Sequence, residues 1–460
     1  MAARTTRNRS RLVSWLAGGL SLAVLTTIAV VAAGYDAREV PRDEPAVWAM
    51  RSSGQYARVN TLTAEIDTVR SVEEPSGLLQ SGAQSVLLSH GNGRAWSIDP
   101  TLPRDLLDDA AGGQDAGDDA NDAATVADGA NDAGSDAGSA AMRTPNGTRD
   151  IVAAGGVVLF RTDLGEVYLS LFDDKAAAAS DPDVRQLSDP VLLDPASGTD
   201  DASAQDPADA GFQAAAVAVD PDGLVALYSS TEHAVHWYDA SRAEFRNRTA
   251  KVSEDVPAEN VQLAIVDEKW VLFDPSEGKL WVEGVTDAIT LDTDEGAKLQ
   301  ASSAKAAGSE ILVADRNGLW QIDRQDATRV AEADGVPAQP IAVAGDRYAA
   351  WFGPEEANLW GDREGLIPLT LDDSVSVPGD PEPVIRSSGS HALLTEVQTG
   401  MMWTVPDGKL IPVRQWAQVD PPKEEDGTVV VQDVTEQEPL LRSMTSLVCA
   451  RASQRCCRCS

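Results

Sequence analysis

One pattern of apolar and polar positions recurs along most of the chain. At residues 271–283 the sequence VLFDPSEGKLWVE gives an apolar run, a polar turn containing Gly278, and a second apolar run that carries a tryptophan. Two short β-rich runs around a turn with Gly, Asp or Asn predict a β-hairpin. The same pattern occurs in seven further segments: residues 46–59, 86–98, 157–169, 225–238, 311–322, 348–360 and 393–405.

The aromatic residue that follows each turn gives the repeat length. These residues are Tyr56, Trp96, Tyr168, Trp237, Trp281, Trp320, Trp360 and Trp403. Five of the seven steps between them are about 40 residues, the length of a propeller blade, and the other two are about 70 residues and contain insertions. We predict an all-β fold, a β-propeller of seven or eight blades over residues 46–416, rather than a sandwich. The aromatics then pack one blade against the next and do not form a ligand site.

Both insertions fall between copies of the hairpin, where a loop lengthens at little thermodynamic cost. Residues 105–141 are rich in Asp, Ala and Gly and contain no Lys or Arg. Residues 173–210 are again rich in Ala and Asp, with Leu192 and Leu193 as a small apolar island. We predict disorder for both segments, because they lack the bulky side chains that would offset the entropy of ordering. Residues 105–141 match neither the EF-hand register nor the nonapeptide calcium repeat, so calcium binding is not favoured.

The N-terminus predicts a membrane anchor. Residues 1–11 contain four arginines and no acidic residue, and residues 12–33 contain no charge. At 1.5 Å per residue the uncharged segment reaches about 33 Å, enough to cross a bilayer core. The basic flank is expected to stay in the cytoplasm, with a tether at residues 34–45 and the bulk of the chain outside the cell. A cleaved signal peptide is the alternative, although its apolar core is normally shorter.

Charge excludes one class of partner. The formal net charge is −36, so the chain would repel nucleic-acid phosphates and anionic lipid head groups. We therefore expect no nucleic-acid partner, and expect membrane contact only through residues 12–33.

Catalytic and metal-binding patterns are absent from the sequence. There are four histidines, of which His90 is predicted in a turn and His391 at the start of a strand, while His233 and His236 are expected to face opposite sides of a hairpin. No nucleophile elbow, phosphate-binding loop or zinc spacing occurs. We therefore name no catalytic, cofactor-binding or metal residue, and the chain is not expected to be an enzyme. Two glycosylation sequons begin at Asn146 and Asn247.

All four cysteines lie in the last stretch: Cys449, Cys456, Cys457 and Cys459. Their spacing fits no zinc pattern, although a disulfide or zinc cluster is the alternative. Back-translated with a suitable choice of GC-rich codons and read from the third base of the Pro439 codon, the tail can become AVAVDDELGVRAGEPALLPVL, which restores the acidic, Val-rich character of the upstream chain. We interpret residues 417–439 as an acidic linker and residues 440–460 as a frameshifted, non-native tail of a longer protein.

These features resemble one family. The basic terminus, the single apolar segment, the first hairpin at Val47-Trp48 and the segment IPVRQWAQVDPP at residues 411–422 are similar to large actinobacterial surface proteins. Such proteins carry an N-terminal anchor, a propeller-like extracellular region and then Ig-like or fibronectin type III repeats. The resemblance implies a role at the cell envelope. The present chain lacks the repeats, so any function that they carry is in doubt here.

Three hypotheses of function follow. The first is a membrane-anchored interaction protein whose propeller holds loops rigidly and binds a protein or a cell-wall glycan. The second is a cell-wall polysaccharide hydrolase or its accessory module, with carboxylates as acid and base. The third is a passive spacer, which would show no pocket on the loop face. A pair of carboxylates in one pocket, one with a raised pKa, would favour the second hypothesis.

Overall fold

A computed structural model describes residues 45–82, 84–98, 103, 105–106, 141–173, 186–195, 212–294 and 296–417. These residues form eight β-sheets that follow one another along the chain. First strands of neighbouring sheets contact one another, as blades that converge on an axis require. The fold is an eight-bladed β-propeller, which confirms the predicted all-β class and gives eight as the blade number.

The first four blades run from residue 46 to residue 251. Blade 1 has three strands: β1 (Ala46–Arg51), β2 (Gln55–Asn60) and β3 (Glu65–Ser71). Blade 2 contains β4 (Pro75–Ser81), β5 (Gln84–Ser89), β6 (Arg94–Ser97) and β7 (Met142–Arg143). Blade 3 contains β8 (Thr148–Ala154), β9 (Val157–Thr162), β10 (Val167–Asp173), β11 (Gln186–Leu187) and β12 (Val191–Leu192). Blade 4 contains β13 (Ala216–Val219), β14 (Leu224–Ser229), β15 (Ala234–Asp239) and β16 (Glu244–Lys251).

The last four blades complete the ring. Blade 5 contains β17 (Gln262–Val266), β18 (Lys269–Asp274), β19 (Lys279–Val282) and β20 (Ile289–Thr290). Blade 6 contains β21 (Lys298–Leu299), β22 (Ile311–Asp315), β23 (Gly318–Asp323) and β24 (Asp326–Glu332). Blade 7 contains β25 (Val336–Pro337), β26 (Ile341–Val343), β27 (Asp346–Phe352), β28 (Ala357–Gly361) and β29 (Gly365–Leu369). Blade 8 contains β30 (Pro383–Ser388), β31 (His391–Glu396), β32 (Met401–Val405) and β33 (Leu410–Ile411), and short 3-10 helices span Lys305–Ala307 and Val413–Ala417.

All eight predicted hairpins are present as antiparallel pairs. The hairpin predicted from residues 271–283 is formed by β18 and β19, with Leu272 opposite Trp281. The first copy is formed by β1 and β2, with Met50 opposite Tyr56. The periodic apolar pattern therefore identified the strands correctly, because each strand of the pair is nearly continuous in buried side chains.

The hydrophobic cores lie between adjacent blades, since both faces of each sheet are covered. One core joins blades 4 and 5 through Trp237, Trp270 and Trp281. Six of the eight repeated aromatics are buried: Tyr56, Trp96, Trp237, Trp281, Trp360 and Trp403. Tyr168 and Trp320 are only half-buried. The Tyr168 hydroxyl donates to Glu166, and the Arg329 guanidinium lies over the Trp320 ring.

Blade 1 lacks an axial strand among the described residues. In the other seven blades an inner strand precedes the repeated hairpin, whereas β1 itself opens blade 1. The first strands of blades 8 and 2, β30 and β4, contact β1 and also contact each other. The neighbouring blades therefore meet in front of β1, at the position that an inner strand occupies elsewhere.

A side chain substitutes for part of the missing strand. Alternate residues of β1 point their N–H and C=O groups away from β2. The Gln80 amide of β4 bonds to two of these groups, accepting from the Trp48 N–H at 3.0 Å and donating to the Ala46 carbonyl at 3.4 Å. In the same gap Arg386 Nε donates to the Leu78 carbonyl at 3.0 Å, which ties β30 to β4.

The ring closes through side-chain packing and the C-terminal 3-10 helix. In the described part of the chain, no sheet combines strands from the two ends. Trp416 is buried against blades 1 and 8, and its indole N–H donates to the Gly400 carbonyl at 2.8 Å. Arg51 lies 5.2 Å from the centre of the Trp416 ring, and Gln415 accepts from the Ile66 N–H at 2.9 Å. Residues 413–417 therefore fasten blade 8 to blade 1.

The predicted disordered insertions need a correction. Within residues 173–210, β11 and β12 pair with β10 as outer strands of blade 3, and Leu193 is buried. The apolar island thus belongs to the propeller, because it covers the outer edge of β10. Within residues 105–141, Leu106 is buried in the core shared by blades 1 and 2. The prediction of disorder was wrong for these parts, and the rest of both insertions lies outside the described residues.

Several other predictions concern residues outside the described part of the chain. These are the basic tail at residues 1–11, the apolar segment at 12–33, most of the tether at 34–45, the linker from residue 418 and the tail at 440–460. Among the described residues, no helix has the length and apolar character needed to span a bilayer.

Candidate binding cleft on the hairpin face

One end of the propeller carries the turns of all eight repeated hairpins. Because consecutive strands are antiparallel, these turns share one end of the blades with the connections from each blade to the next. We call this end the hairpin face. Its turns span residues 52–54, 90–93, 163–166, 230–233, 275–278, 316–317, 353–356 and 397–400.

Buried polar side chains hold most of these turns in place. In six blades the last residue of the hairpin's first strand is a buried polar residue: Ser89, Thr162, Ser229, Asp274, Asp315 and Glu396. Asp315 accepts from the Asn317 N–H at 2.8 Å and from the Trp320 indole at 3.2 Å. Glu396 accepts from the Thr399 N–H at 2.7 Å. These carboxylates cap turns, so their burial has a structural cause and does not by itself indicate catalysis.

Asp220 is a buried carboxylic acid whose pKa is raised above its ordinary value. Burial raises the pKa of Asp220, and the Asp222 carboxylate adds to this, while hydrogen bonds from the Leu224 and Asp222 N–H groups oppose it. Asp220 lies in the turn between β13 and β14, at the end of the propeller opposite the hairpin face. It caps that turn by accepting from the Leu224 N–H at 2.8 Å. These hydrogen bonds give its burial a structural cause, as for the carboxylates of the hairpin face.

The four histidines do not converge. His90 lies in the turn at 90–93 of blade 2, and His391 opens β31 of blade 8, where its Nδ1 is 3.2 Å from the Thr61 hydroxyl. His233 lies in a turn with a φ of 46°, and His236 lies in β15, with its Nε2 2.9 Å from Glu232. Among the described residues, no three His, Cys, Asp or Glu side chains form a group that could hold a metal ion.

A cleft of about 300 Å³ opens on the hairpin face of blade 2. One wall is formed by residues 91–94, from the β5–β6 turn into β6, and the other by residues 143–148, between β7 and β8. Arg94 and Arg143 face each other directly across the β6–β7 pair. Asn146, the first residue of one predicted sequon, is exposed on the second wall. None of the described residues that line the cleft is acidic, in a chain whose net charge is −36.

Hydrogen bonds fix the two walls to each other. The Thr144 hydroxyl donates to the Asn92 carbonyl at 2.6 Å, and the Thr144 N–H donates to the Gly93 carbonyl at 3.2 Å. The Asn92 amide donates to the Arg149 carbonyl at 3.5 Å. Because Thr144 bonds the two walls together through both its hydroxyl and its N–H, the cleft is formed before any ligand arrives, which lowers the entropy cost of binding.

The second wall is also fixed to blade 3. The Asp163 N–H in the β9–β10 turn donates to the Gly147 carbonyl at 2.8 Å. Gly147 has a φ of 73°, and a Cβ at this position would lie 2.4 Å from the Asp163 carboxylate. The positive φ and the lack of space for a Cβ both favour glycine at position 147. Leu164, next to Asp163 in the same turn, is 66% exposed.

A second group of cations lies in the axial strands. Burial lowers the pKa of Lys298 on β21 and lowers that of Arg386 on β30 to about 10, and Glu382 partly offsets both shifts. Arg386 Nη1 has no hydrogen-bond partner among the described residues, but it is inaccessible to solvent. A ligand could not reach it without rearrangement, so the cleft of blade 2 is the stronger candidate site.

Comparison with known proteins supports the fold only. No family model and no curated protein matches the chain. Solved structures similar to it include a catalytically inactive virginiamycin B lyase from Staphylococcus aureus, at 9% identity over 70% of this chain and 92% of that one, with a TM-score of 0.40. The dihydro-heme d1 dehydrogenase NirN is 12% identical over 81% of this chain and 73% of that one, with a TM-score of 0.46. BamB from Moraxella catarrhalis is 12% identical over 67% and 80% of the two chains, with a TM-score of 0.38.

One sequence-based prediction is corrected by this comparison. The lack of catalytic motifs led to the expectation that the chain is not an enzyme. That expectation is wrong as drawn, because a lyase and a dehydrogenase are among the proteins similar to it in structure. Likeness at this identity assigns no activity to the chain, and the proteins' substrates do not carry over to it.

Sequence analysis missed the cleft. Arg94 and Arg143 are separated by an insertion, and no motif links them. The one signal available was the segment MRTPNGTR at residues 142–149, which has two arginines and no acid in a strongly acidic chain. Of the residues singled out from sequence, only Asn146 lines the cleft. His90 adjoins it, in the β5–β6 turn.

Proposed function

We propose that the chain is a membrane-anchored interaction protein of the cell envelope, whose propeller binds a protein or a cell-wall glycan through the hairpin face. The observation that carries this proposal is the preformed cleft between residues 91–94 and 143–148, whose described lining has two arginines and no acidic residue. A passive spacer would not need such a cleft. Rigid blades that hold loops in fixed positions favour recognition.

Blocking the cleft tests the binding function. Full chain in detergent is incubated with isolated cell envelopes, and the bound fraction is measured for the Asn146→Trp variant. Asn146 is exposed in the cleft, so a bulky side chain should fill the site without disturbing a core. The matched control is Gln325→Trp, in the exposed turn between β23 and β24 at the opposite end. We expect Asn146→Trp to reduce binding at least tenfold and the control to leave it unchanged. Equal binding by both variants would contradict the proposal.

The anchor is tested separately. We propose that residues 12–33 cross the membrane and hold the propeller outside the cell, because the uncharged segment is long enough to span a bilayer and follows a basic flank. The full chain should stay with membranes after a carbonate wash, whereas a chain that starts at residue 45 should be released. Protease added to intact spheroplasts should digest the full chain. Release of the full chain, or its protection from protease, would argue against the anchor or its orientation.

A further inference from the structure

The chain contains three Asn–Gly steps: Asn92–Gly93, Asn146–Gly147 and Asn317–Gly318. In such a step the glycine nitrogen attacks the amide carbon of the asparagine side chain, because glycine has no Cβ to hinder the close approach of its backbone. The reaction converts asparagine to aspartate or isoaspartate without an enzyme. Its rate depends on whether the glycine N–H and the side-chain amide are free to meet, which the fold decides separately for each step.

The step in the second wall of the cleft leaves both reacting groups open. Asn146 and Gly147 are exposed, in the turn between β7 and β8. In the part of the chain that the structure describes, the Asn146 amide and the Gly147 N–H have no hydrogen-bond partner. The turn is held at its ends instead, where the Thr148 N–H donates to the Pro145 carbonyl at 3.2 Å. The nitrogen can therefore turn toward the amide carbon without either reacting group first losing a hydrogen bond.

The step in the first wall is closed by hydrogen bonds. The Gly93 N–H donates to the His90 carbonyl at 3.1 Å. The Asn92 amide donates to the Arg149 carbonyl at 3.5 Å. Attack at Asn92 would break both bonds, and each of them adds to the barrier. Asn92 thus provides an internal comparison within the same cleft.

The step in blade 6 is closed by packing. Gly318 is buried as the first residue of β23, where it lies opposite Asp315, and a Cβ there would clash with the Ala331 carbonyl. The Asn317 N–H donates to the Asp315 carboxylate at 2.8 Å, and the Asn317 carbonyl accepts from the Ala333 N–H at 3.2 Å. Because strand pairing holds the Gly318 backbone in place, Asn317 should react slowly although it is exposed.

We propose that Asn146–Gly147 is a self-modification site of the folded chain, which ages by deamidation of Asn146. The Gly147 nitrogen bonds to the Asn146 Cγ, and the bond between that Cγ and the amide nitrogen breaks. The leaving nitrogen takes the Gly147 proton and departs as ammonia. One water then opens the cyclic imide at either carbonyl and gives aspartate or isoaspartate. Water is the only co-reactant, and the reaction needs no oxidant or reductant.

The product changes the chemistry of the cleft. A neutral amide becomes a carboxylate in a cleft whose described lining has no acidic residue. Isoaspartate also carries the main chain through its side-chain carbon, which alters the shape of the second wall. We therefore expect modified protein to bind cell envelopes more weakly than fresh protein. This effect rests on the proposed function, since it concerns regulation of the same cleft, whereas the chemistry at Asn146 does not.

Peptide mapping by mass spectrometry tests the chemistry. The full chain in detergent is aged in mildly alkaline buffer, and the converted fraction at each of the three asparagines is followed with time. We expect Asn146 to convert at least about tenfold faster than Asn92 and Asn317, because hydrogen bonds and packing raise the barrier at the other two steps. In urea the three steps should convert at similar rates, since the fold and not the dipeptide sets the order.

Variants connect the chemistry to binding, with each aged sample compared with its own fresh sample. The aged parent chain should bind isolated envelopes several-fold more weakly. Asn146→Gln keeps an amide but must close a larger ring, so its aged and fresh samples should bind equally. Asn317→Gln, in blade 6, is the matched control and should lose binding on ageing to the same extent as the parent.

The outcomes decide each proposal separately. Conversion of Asn146 no faster than that of Asn92 or Asn317 in the folded chain would overturn the modification site. Conversion of Asn146 with unchanged envelope binding would overturn its regulatory effect. If Asn146→Trp also leaves envelope binding unchanged, the proposed function fails, while the rates measured by mass spectrometry still decide the modification site.

Discussion

At the scale of single residues, one amide has the role that a strand has elsewhere. Gln80 satisfies the Trp48 N–H and the Ala46 carbonyl on the axial edge of β1, and it also donates to the Gly82 carbonyl at 3.3 Å. Backbone groups left without partners cost free energy comparable to lost hydrogen bonds. A single side chain therefore permits blade 1 to have three strands.

Replacement of the Gln80 amide should destabilise the folded protein. We expect Gln80→Leu to lower the free energy of unfolding by about 1–3 kcal/mol, because it keeps the volume but leaves two backbone groups of β1 unbonded. Denaturation in urea measures the change. Gln325→Leu, in an exposed turn, should change it by less than about 0.5 kcal/mol. A loss no larger than that of the control would mean that water satisfies the β1 edge equally well.

Arg143 should be dispensable for folding. Because its side chain is exposed, we expect Arg143→Gln to change the free energy of unfolding by less than about 0.5 kcal/mol. Urea denaturation checks this. A loss of more than about 1 kcal/mol would show that Arg143 has a structural role.

At the scale of elements, the connection before β30 is tied to the C-terminal 3-10 helix. Asp372 caps its own turn by accepting from the Ser374 hydroxyl at 2.5 Å and from the Ser374 N–H at 3.0 Å. It also accepts from the Val413 N–H, at the start of the helix, at 2.8 Å. One carboxylate thus links the turn after blade 7 to the segment that fastens blade 8 to blade 1.

This carboxylate should give the fold an acid-dependent component. Hydrogen bonds from Ser374 hold the pKa of Asp372 below its ordinary value of 3.8. Because the folded pKa is lower than the unfolded one, the stabilisation is present above about pH 4 and is lost as pH falls through the folded pKa. We expect Asp372→Asn to be less stable at pH 7 and to lose less stability than the parent between pH 5 and pH 3.

Urea denaturation across this pH range gives the measurement. Asp373→Asn is the matched control, since Asp373 is the adjacent, exposed carboxylate. The Asp373→Asn variant should lose as much stability between pH 5 and pH 3 as the parent protein does. If both variants give the same pH dependence, the acid sensitivity arises from general charge effects and not from the Asp372 cap.

At the scale of the whole molecule, the ring closes without exchange of strands between its ends. The described contacts at the closure include side-chain packing, hydrogen bonds from residues 413–417, the Ser52 N–H bond to the Val397 carbonyl at 2.9 Å, and the contact between the Thr61 hydroxyl and His391. The last described residues therefore matter more to the ring than their small number implies, because bare blade edges would otherwise be exposed.

Truncation tests this closure. A chain that ends at residue 412 loses Gln415 and Trp416, whereas a chain that ends at 417 keeps both. We expect the shorter chain to have a Tm several degrees lower, since removal of a buried tryptophan alone costs about 3–5 kcal/mol. The chain ending at 417 should melt like the full chain. Equal Tm values for both truncations would show that the ring closes without the 3-10 helix.

The periodic hairpins were fully predictable from sequence. Each strand pair carries its apolar residues in a local pattern around a local turn, and the burial of six repeated aromatics follows from that repetition. The outer strands of blade 3 were missed, because β11 and β12 have two residues each within an acidic, low-complexity segment. Such short strands form only when an existing edge, here β10, offers them a partner.

The sequence by itself determined the all-β class, the repeat and the eight hairpins, because these depend on contacts between residues close in the chain. Only the tertiary structure decided the missing axial strand of blade 1, its replacement by Gln80 and the cleft. Arg94 and Arg143 become neighbours only when β7 pairs with β6 across an insertion, and Gly147 of the second wall is held by Asp163 only when blade 3 packs on blade 2. Register and packing between distant segments created the site, and neither is encoded in a local pattern.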